Sequence, residues 1–176
     1  MTALTEWQNV YVIYGSAAGA LIGLQFVVMA LIANVPRTPE LAQAGIAFTT
    51  PTIVHFATVL FLSGIMCAPW RGIAPVAALW GAAGLAGTVY CVIVTRRLRR
   101  QSAYKPELQD WLFYSALPLV TYASLIASAL LGFARPDASL FCVATAALLL
   151  LLIGIHNAWD NVTFHVFTKN QKVNDR

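Results

Sequence analysis

Three ionisable side chains lie within or directly beside long apolar stretches of this sequence, at His55, His156 and Asp160. Ionisable side chains are costly inside a lipid bilayer, and those that occur there commonly bind ligands or move ions. His156 and Asp160 are i and i+4 neighbours, so on a helix they share one face. Asn157 and Asn161 form a polar stripe beside them. We therefore expect these five residues to build a ligand, ion or proton site.

Three kinds of chemistry fit such a site. A histidine beside a carboxylate can take up and release protons, because the ordinary histidine pKa of about 6.5 is close to neutral pH. His55, His156 and Asp160 together can bind zinc or another divalent metal and leave one coordination position open. Two histidines on facing helices can also ligate haem. The residue types alone do not choose between a proton site, a divalent-metal site and a haem site.

The same residues also have structural interpretations. A helix that leaves a membrane becomes polar, and His, Asn and Asp are ordinary residues at that boundary. A single histidine such as His55 can simply hydrogen-bond to a neighbouring helix, as polar side chains in membrane bundles do. Both alternatives remain open at the level of the sequence.

The composition predicts an integral membrane protein. Of the 176 residues, 59% are hydrophobic and 10% are charged, whereas about 25% of residues are charged in soluble domains. The apolar residues form runs that match the ~30 Å hydrocarbon core of a bilayer, and a segment that crosses this core must be helical to satisfy its backbone. We predict one all-α domain, a bundle of five transmembrane helices over residues 10–33, 52–69, 73–95, 111–133 and 138–159, followed by a polar cytoplasmic tail over residues 160–176.

Prolines indicate where the predicted helices begin or become irregular. Thr38-Pro39 is typical of a helix start. Thr50-Pro51 has two interpretations, which are one helix kinked at Pro51 or a short helix followed by a second start. Pro118 predicts a kink in the fourth span.

The basic residues predict the orientation. In a five-span topology only two of the eleven Lys and Arg residues, Arg71 and Arg135, fall on one side, and the other nine fall on the opposite side. Basic residues concentrate on the cytoplasmic side of membrane proteins, so the N-terminus is predicted outside and the C-terminus inside. This topology places the candidate site in the cytoplasmic half of the bilayer. A basic cluster that follows the third span is predicted to anchor the chain to anionic lipids, at Arg96, Arg97, Arg99 and Arg100.

Glycines recur at every fourth residue of the first span, at Gly15, Gly19 and Gly23. Such a stripe gives a smooth helix face against which another backbone can pack closely. Two interpretations remain open, which are packing within the chain and a subunit interface in a homo-oligomer.

No motif of a known reaction is present. The sequence lacks an H-E-x-x-H pair, a G-x-S-x-G turn and a phosphate-binding glycine loop. Its three cysteines, at positions 67, 91 and 142, form no C-x-x-C pair. The sequence therefore does not point to an enzyme, and its basic residues do not suggest nucleic acid as a partner.

The main functional hypothesis is an oligomeric channel- or transporter-like protein that binds or passes an ion, a proton or a small ligand. The preference for Arg over Lys and the abundance of Ala suggest the inner membrane of a bacterium. One alternative is an accessory or structural subunit of a larger membrane complex, with lipids and other membrane subunits as partners. A second alternative is a metal-dependent membrane enzyme.

Overall fold

The computed structural model describes the backbone of residues 3–32, 39–100 and 108–174, and the side chains of residues 4–31, 50–99 and 108–163. The Arg100 side chain and the side chains of the predicted tail beyond residue 163 lie outside the described residues. The elements are α1 (Ala3–Ile32), α2 (Pro39–Cys67), α3 (Ile73–Arg100), α4 (Leu108–Trp111), a π-helical turn (Leu112–Ala116), α5 (Leu117–Leu131) and α6 (Pro136–Asn174).

Five stretches of the described helices are long and apolar enough to cross a membrane, namely Leu4–Leu31, Thr50–Cys67, Ile73–Arg99, Leu108–Leu131 and Pro136–Thr163. The prediction of an all-helical chain with five segments of spanning length is thereby confirmed. Helix α6 has 39 residues, so the chain continues as a helix through most of the region predicted to be a polar tail.

Pro51 and Pro118 affect their helices differently. Pro51 lies inside α2, so a single helix runs through this position. Pro118 lies in the first turn of α5, directly after the π-helical turn. In that turn the backbone N–H of Leu117 donates to the carbonyl of Leu112, which is the i→i+5 bond of a π-helix. The irregularity that Pro118 predicts is therefore a widened turn that begins before the proline.

Helix α6 packs mainly on α1, α2 and α5, and it also contacts the π-helical turn. Helix α1 packs mainly on α2, and α3 packs mainly on α5. We call the end of the bundle that carries Arg96, Arg97 and Arg99 the basic end, and the end that carries Arg71 and Arg135 the opposite end. Helix α2 runs from the basic end to the opposite end, and α6 runs in the reverse direction.

Glycines allow the closest helix contacts. A methyl group at Gly87 of α3 would overlap the ring of Tyr122 of α5, and one at Gly84 would lie 2.8 Å from the carbonyl oxygen of Tyr122. Gly154 of α6 is covered in the same way by the ring of Phe56 of α2. These contacts fix the positions of Tyr122 and Phe56, and therefore of the polar residues beside them.

The glycine stripe of α1 is only partly covered by the rest of the chain. A methyl group at Gly15 would lie 2.9 Å from Cβ of Ser63 in α2, whereas methyl groups at Gly19 and Gly23 would have no neighbour within 4 Å among the described residues. Within the single chain, close packing therefore involves Gly15 and leaves the other two glycines open.

A buried hydroxyl links α6 to α5 near the opposite end. Ser139 Oγ donates to the Ser128 carbonyl over 2.7 Å. We expect Ser139→Ala to lower the free energy of unfolding by about 0.6 kcal/mol, which is typical of hydrogen bonds between membrane helices. Thr145→Ala is the control, because the exposed Thr145 hydroxyl bonds to its own helix at the Phe141 carbonyl. Unfolding of the purified variants in detergent measures both effects, and equal losses would contradict the assignment.

Candidate functional site

His156 and Asp160 form an ion pair near the basic end. The Nε2 atom of His156 lies 3.1 Å from Oδ2 of Asp160, and the two side chains are 25% and 37% exposed. The structure thus brings together the two residues whose i, i+4 spacing placed them on one helix face. Because both side chains are partly exposed, the pair is in contact with the surroundings of the bundle.

Helix α4 and the π-helical turn complete this site. Gln109 places its Nε2 atom 3.2 Å from Nε2 of His156. The Phe113 ring stacks on the imidazole, with ring centroids 3.6 Å apart and planes inclined by 23°. We call His156, Asp160, Gln109 and Phe113 the basic-end cluster.

The Nε2 atom of His156 has a partner in both of its protonation states. When this nitrogen carries a proton, it can donate to the carboxylate of Asp160. When it is bare, it can accept from the amide nitrogen of Gln109. Stacking on Phe113 holds the imidazole between the two groups.

Asn157 and Asn161 of α6 form hydrogen bonds beside the basic-end cluster. Asn157 is fully buried, and its Nδ2 lies 3.5 Å from the Phe113 carbonyl, at the long limit of a hydrogen bond. Asn161 donates to the Asn157 carbonyl over 2.9 Å. Asn157 therefore tethers α6 to the π-helical turn, and Asn161 supports the same stretch of α6.

His55 lies in a second polar group, deep between α2 and α5. Its side chain is 1% exposed, and its Nδ1 lies 3.0 Å from the hydroxyl of Tyr122. That hydroxyl lies 3.2 Å from Oγ1 of Thr58, which donates to the Val54 carbonyl over 2.9 Å. The Nε2 atom of His55 is buried and has no hydrogen-bond partner among the described residues. We call His55, Tyr122 and Thr58 the His55 cluster.

The structure does not group His55 with His156 and Asp160. Helices α2 and α6 are neighbours, and the Phe56 ring packs on Gly154 between them. Successive residues are about 100° apart around a helix, so His156 points about 200° away from the face of Gly154 that meets α2. Within the described parts of the chain, no three His, Cys, Asp or Glu side chains are close enough to hold a metal ion.

The basic cluster on α3 lies at the same end of the bundle as His156. Arg96, Arg97 and Arg99 are exposed, and the guanidinium carbon of Arg99 lies 5.7 Å from the centre of the Trp111 ring. This is a cation–π distance, and it orients one arginine of the predicted lipid anchor.

Comparisons of the chain with protein-family models, with curated proteins and with solved structures find no match. The functional proposal therefore depends on the geometry of the basic-end cluster and the His55 cluster.

The sequence analysis did not predict four residues of these two clusters, namely Gln109, Phe113, Tyr122 and Thr58. Tyr122 offered a usable signal, because a tyrosine in the middle of a predicted span carries a hydroxyl that needs a partner there. Phe113 offered none, since apolar aromatic residues are common throughout the spans.

We expect Tyr122→Phe to lower the free energy of unfolding by about 1–3 kcal/mol, because it leaves the buried Nδ1 of His55 without its hydrogen-bond partner. The matched control is Thr121→Val at the neighbouring position. The Thr121 hydroxyl is also buried, but it bonds to its own helix at the Leu117 carbonyl, and such bonds add little stability. Thermal unfolding in detergent compares the two variants, and a control as damaging as Tyr122→Phe would argue against the His55 cluster.

Proposed function

We propose that this chain is a small channel- or transporter-like membrane protein that binds and passes protons through the basic-end cluster. The supporting observation is the position of His156 Nε2, which lies 3.1 Å from Asp160 and 3.2 Å from Gln109. A nitrogen that has one partner when protonated and another when bare suits a group that repeatedly gains and loses a proton.

The chemistry of histidine supports this proposal. Histidine is the side chain that ordinarily changes its charge between pH 5 and 8. Partial exposure of His156 and Asp160 lets protons reach the pair from one side of the bundle. A metal site would need a larger set of converging ligands, so the described geometry favours a proton over a divalent cation and gives less support to a metal-dependent enzyme.

The proposed topology places the basic end in the cytoplasm, because basic residues concentrate there. Arg96, Arg97 and Arg99 would then contact anionic headgroups of the inner leaflet, in a bacterial inner membrane or an equivalent bilayer. The basic-end cluster would exchange protons with the cytoplasm.

The experiment uses the purified full-length chain in liposomes that contain a pH-sensitive dye, with a potassium diffusion potential to drive proton entry. We expect the wild-type protein to acidify the interior faster than protein-free liposomes do, and His156→Leu to remove the difference. Asp137→Asn is the control, because Asp137 is an exposed carboxylate at the opposite end. A His156→Leu variant with wild-type flux would refute the site, and flux of Na⁺ or K⁺ without protons would refute the proposed species.

A second candidate function is membership of a larger membrane complex. The exposure of α1 favours it, because 11% of the residues in the apolar stretch of α1 are buried, compared with 56% in that of α6. Gly19 and Gly23 also have no close neighbour among the described residues. If this face binds another subunit, Gly19→Leu will reduce the size of the native assembly and leave proton flux unchanged. Ala20→Leu, on an adjacent exposed face, is the control.

A further inference from the structure

Two buried polar groups of α2 lie close in sequence to the proline inside that helix. The Nε2 atom of His55 and Oγ1 of Thr52 are both buried and lack a hydrogen-bond partner among the described residues. Pro51 has no N–H, so the carbonyl of Ala47 loses the donor that a helix would otherwise supply. Ala47, Pro51 and His55 recur at every fourth residue, and therefore share one face of α2.

Counting protons in the His55 cluster points to one form of the imidazole. The Thr58 hydroxyl donates its proton to the Val54 carbonyl, so towards Tyr122 it can only accept. Tyr122 therefore donates to Thr58, and its oxygen accepts from Nδ1–H of His55. All three protons are then used in one chain of hydrogen bonds. This arrangement leaves Nε2 of His55 as a bare acceptor.

A buried acceptor without a donor is costly in a protein interior, and more so within a membrane. Water satisfies such groups when several polar partners converge, and ordered water commonly replaces the backbone bond that a proline removes from a membrane helix. Water can donate to Nε2 of His55, exchange a hydrogen bond with the Thr52 hydroxyl and donate to the Ala47 carbonyl.

We propose that a short file of water enters the bundle from the basic end along Pro51 and Thr52 and ends on Nε2 of His55. As a route for protons, this file rests on the proposed function. As a binding site for water, it does not. His55 would then be a second group, separate from the basic-end cluster, that exchanges protons with water from the same end.

The test uses the full-length protein in lipid nanodiscs with ¹⁵N-labelled histidine. In the wild type we expect the ¹⁵N spectrum of His55 to show a protonated Nδ1 and a bare Nε2, together with magnetisation transfer from water to the ring. His156 is the internal positive control, because it is 25% exposed. The tautomer is read from the wild type alone, so this part of the test does not depend on whether any variant folds.

Two substitutions address the water file itself. Thr52→Val removes a hydroxyl without changing the shape of the side chain, and Pro51→Ala returns an N–H to the Ala47 carbonyl. Both are expected to abolish transfer from water to His55 and to leave transfer to His156 intact. Ser63→Ala is the matched control, because it removes another buried hydroxyl of α2 that has no partner among the described residues, two turns beyond His55.

Each outcome bears on one part of the inference. A protonated Nε2 with a bare Nδ1, or transfer from water to His156 without transfer to His55, would overturn the water file. Loss of transfer in Ser63→Ala as well as in Thr52→Val would overturn its location. Water transfer to His55 in a protein without proton flux would leave the water site in place and refute the proposed function.

Discussion

His156→Leu, Asp160→Asn and the double variant are each expected to reduce proton flux to the level of protein-free liposomes. Under the proposed function the two side chains act on one proton at one nitrogen, because Nε2 of His156 faces Oδ2 of Asp160 at 3.1 Å. Residues that act as a unit show strongly non-additive effects, so the second substitution adds nothing to the first. The rate of dye quenching in proteoliposomes measures all three variants. Independent losses that multiply in the double variant would contradict a shared proton.

The proton flux of Gln109→Ala is compared with that of the His156 and Asp160 variants. Gln109 is a partner of the bare form of His156 and does not titrate, so we expect a partial loss of flux rather than a complete one. A complete loss in Gln109→Ala with little change in Asp160→Asn would reverse the roles assigned to the two residues.

Gly87→Ala is expected to destabilise the bundle by about 1–3 kcal/mol or more, the range for overpacking a close-packed core. The added methyl group would overlap the ring of Tyr122, a fully buried residue. Because Tyr122 also holds Nδ1 of His55, we expect the variant to disturb the ¹⁵N signals of His55 as well. Unfolding in detergent measures the loss of stability.

Gly19→Ala is the matched control for this substitution. It makes the same chemical change in another helix of spanning length, at a position with no neighbour within 4 Å in the described part of the chain. Alanine has the higher helix propensity, so Gly19→Ala should be neutral or slightly stabilising in the isolated chain. Equal destabilisation by the two substitutions would show that α3 and α5 do not pack as described.

The five spanning-length helices were predictable because they depend on local features of the chain. A long apolar run must be helical to cross a bilayer, and the turns at Arg71 and Arg135 interrupt the runs. The pairing of His156 with Asp160 was also predictable, since both residues lie on one helix and the helical repeat decides which side chains meet.

The separation of His55 from His156 was not predictable, because it depends on which faces of two helices meet. The contact between α2 and α6 includes Phe56 and Gly154, and neither residue indicates in advance which helix it will meet. Once that contact is known, the helical repeat directs His55 towards Tyr122 and His156 towards Phe113. A difference of one or two residues in the contact would have changed both directions.

The position of the π-helical turn before α5 was also not predictable from the sequence. Pro118 predicted an irregularity in the fourth span, but the π-helical turn that places Phe113 against His156 lies before the proline. The glycine stripe is a second example, because Gly15 and Gly19 belong to the same stripe but, among the described residues, only Gly15 meets α2. Helices that cross at an angle stay in close contact over only a few turns, and the sequence does not indicate which turns those are.

The most direct test of the central claim is proton flux through the wild-type protein when a proton gradient is the only ion gradient present. Purified, monodisperse protein is reconstituted into liposomes, and the decay of the internal pH is compared with that of protein-free liposomes and of His156→Leu proteoliposomes. The proposed function predicts that the gradient decays faster only with the wild-type protein. Identical decay in all three preparations would contradict it.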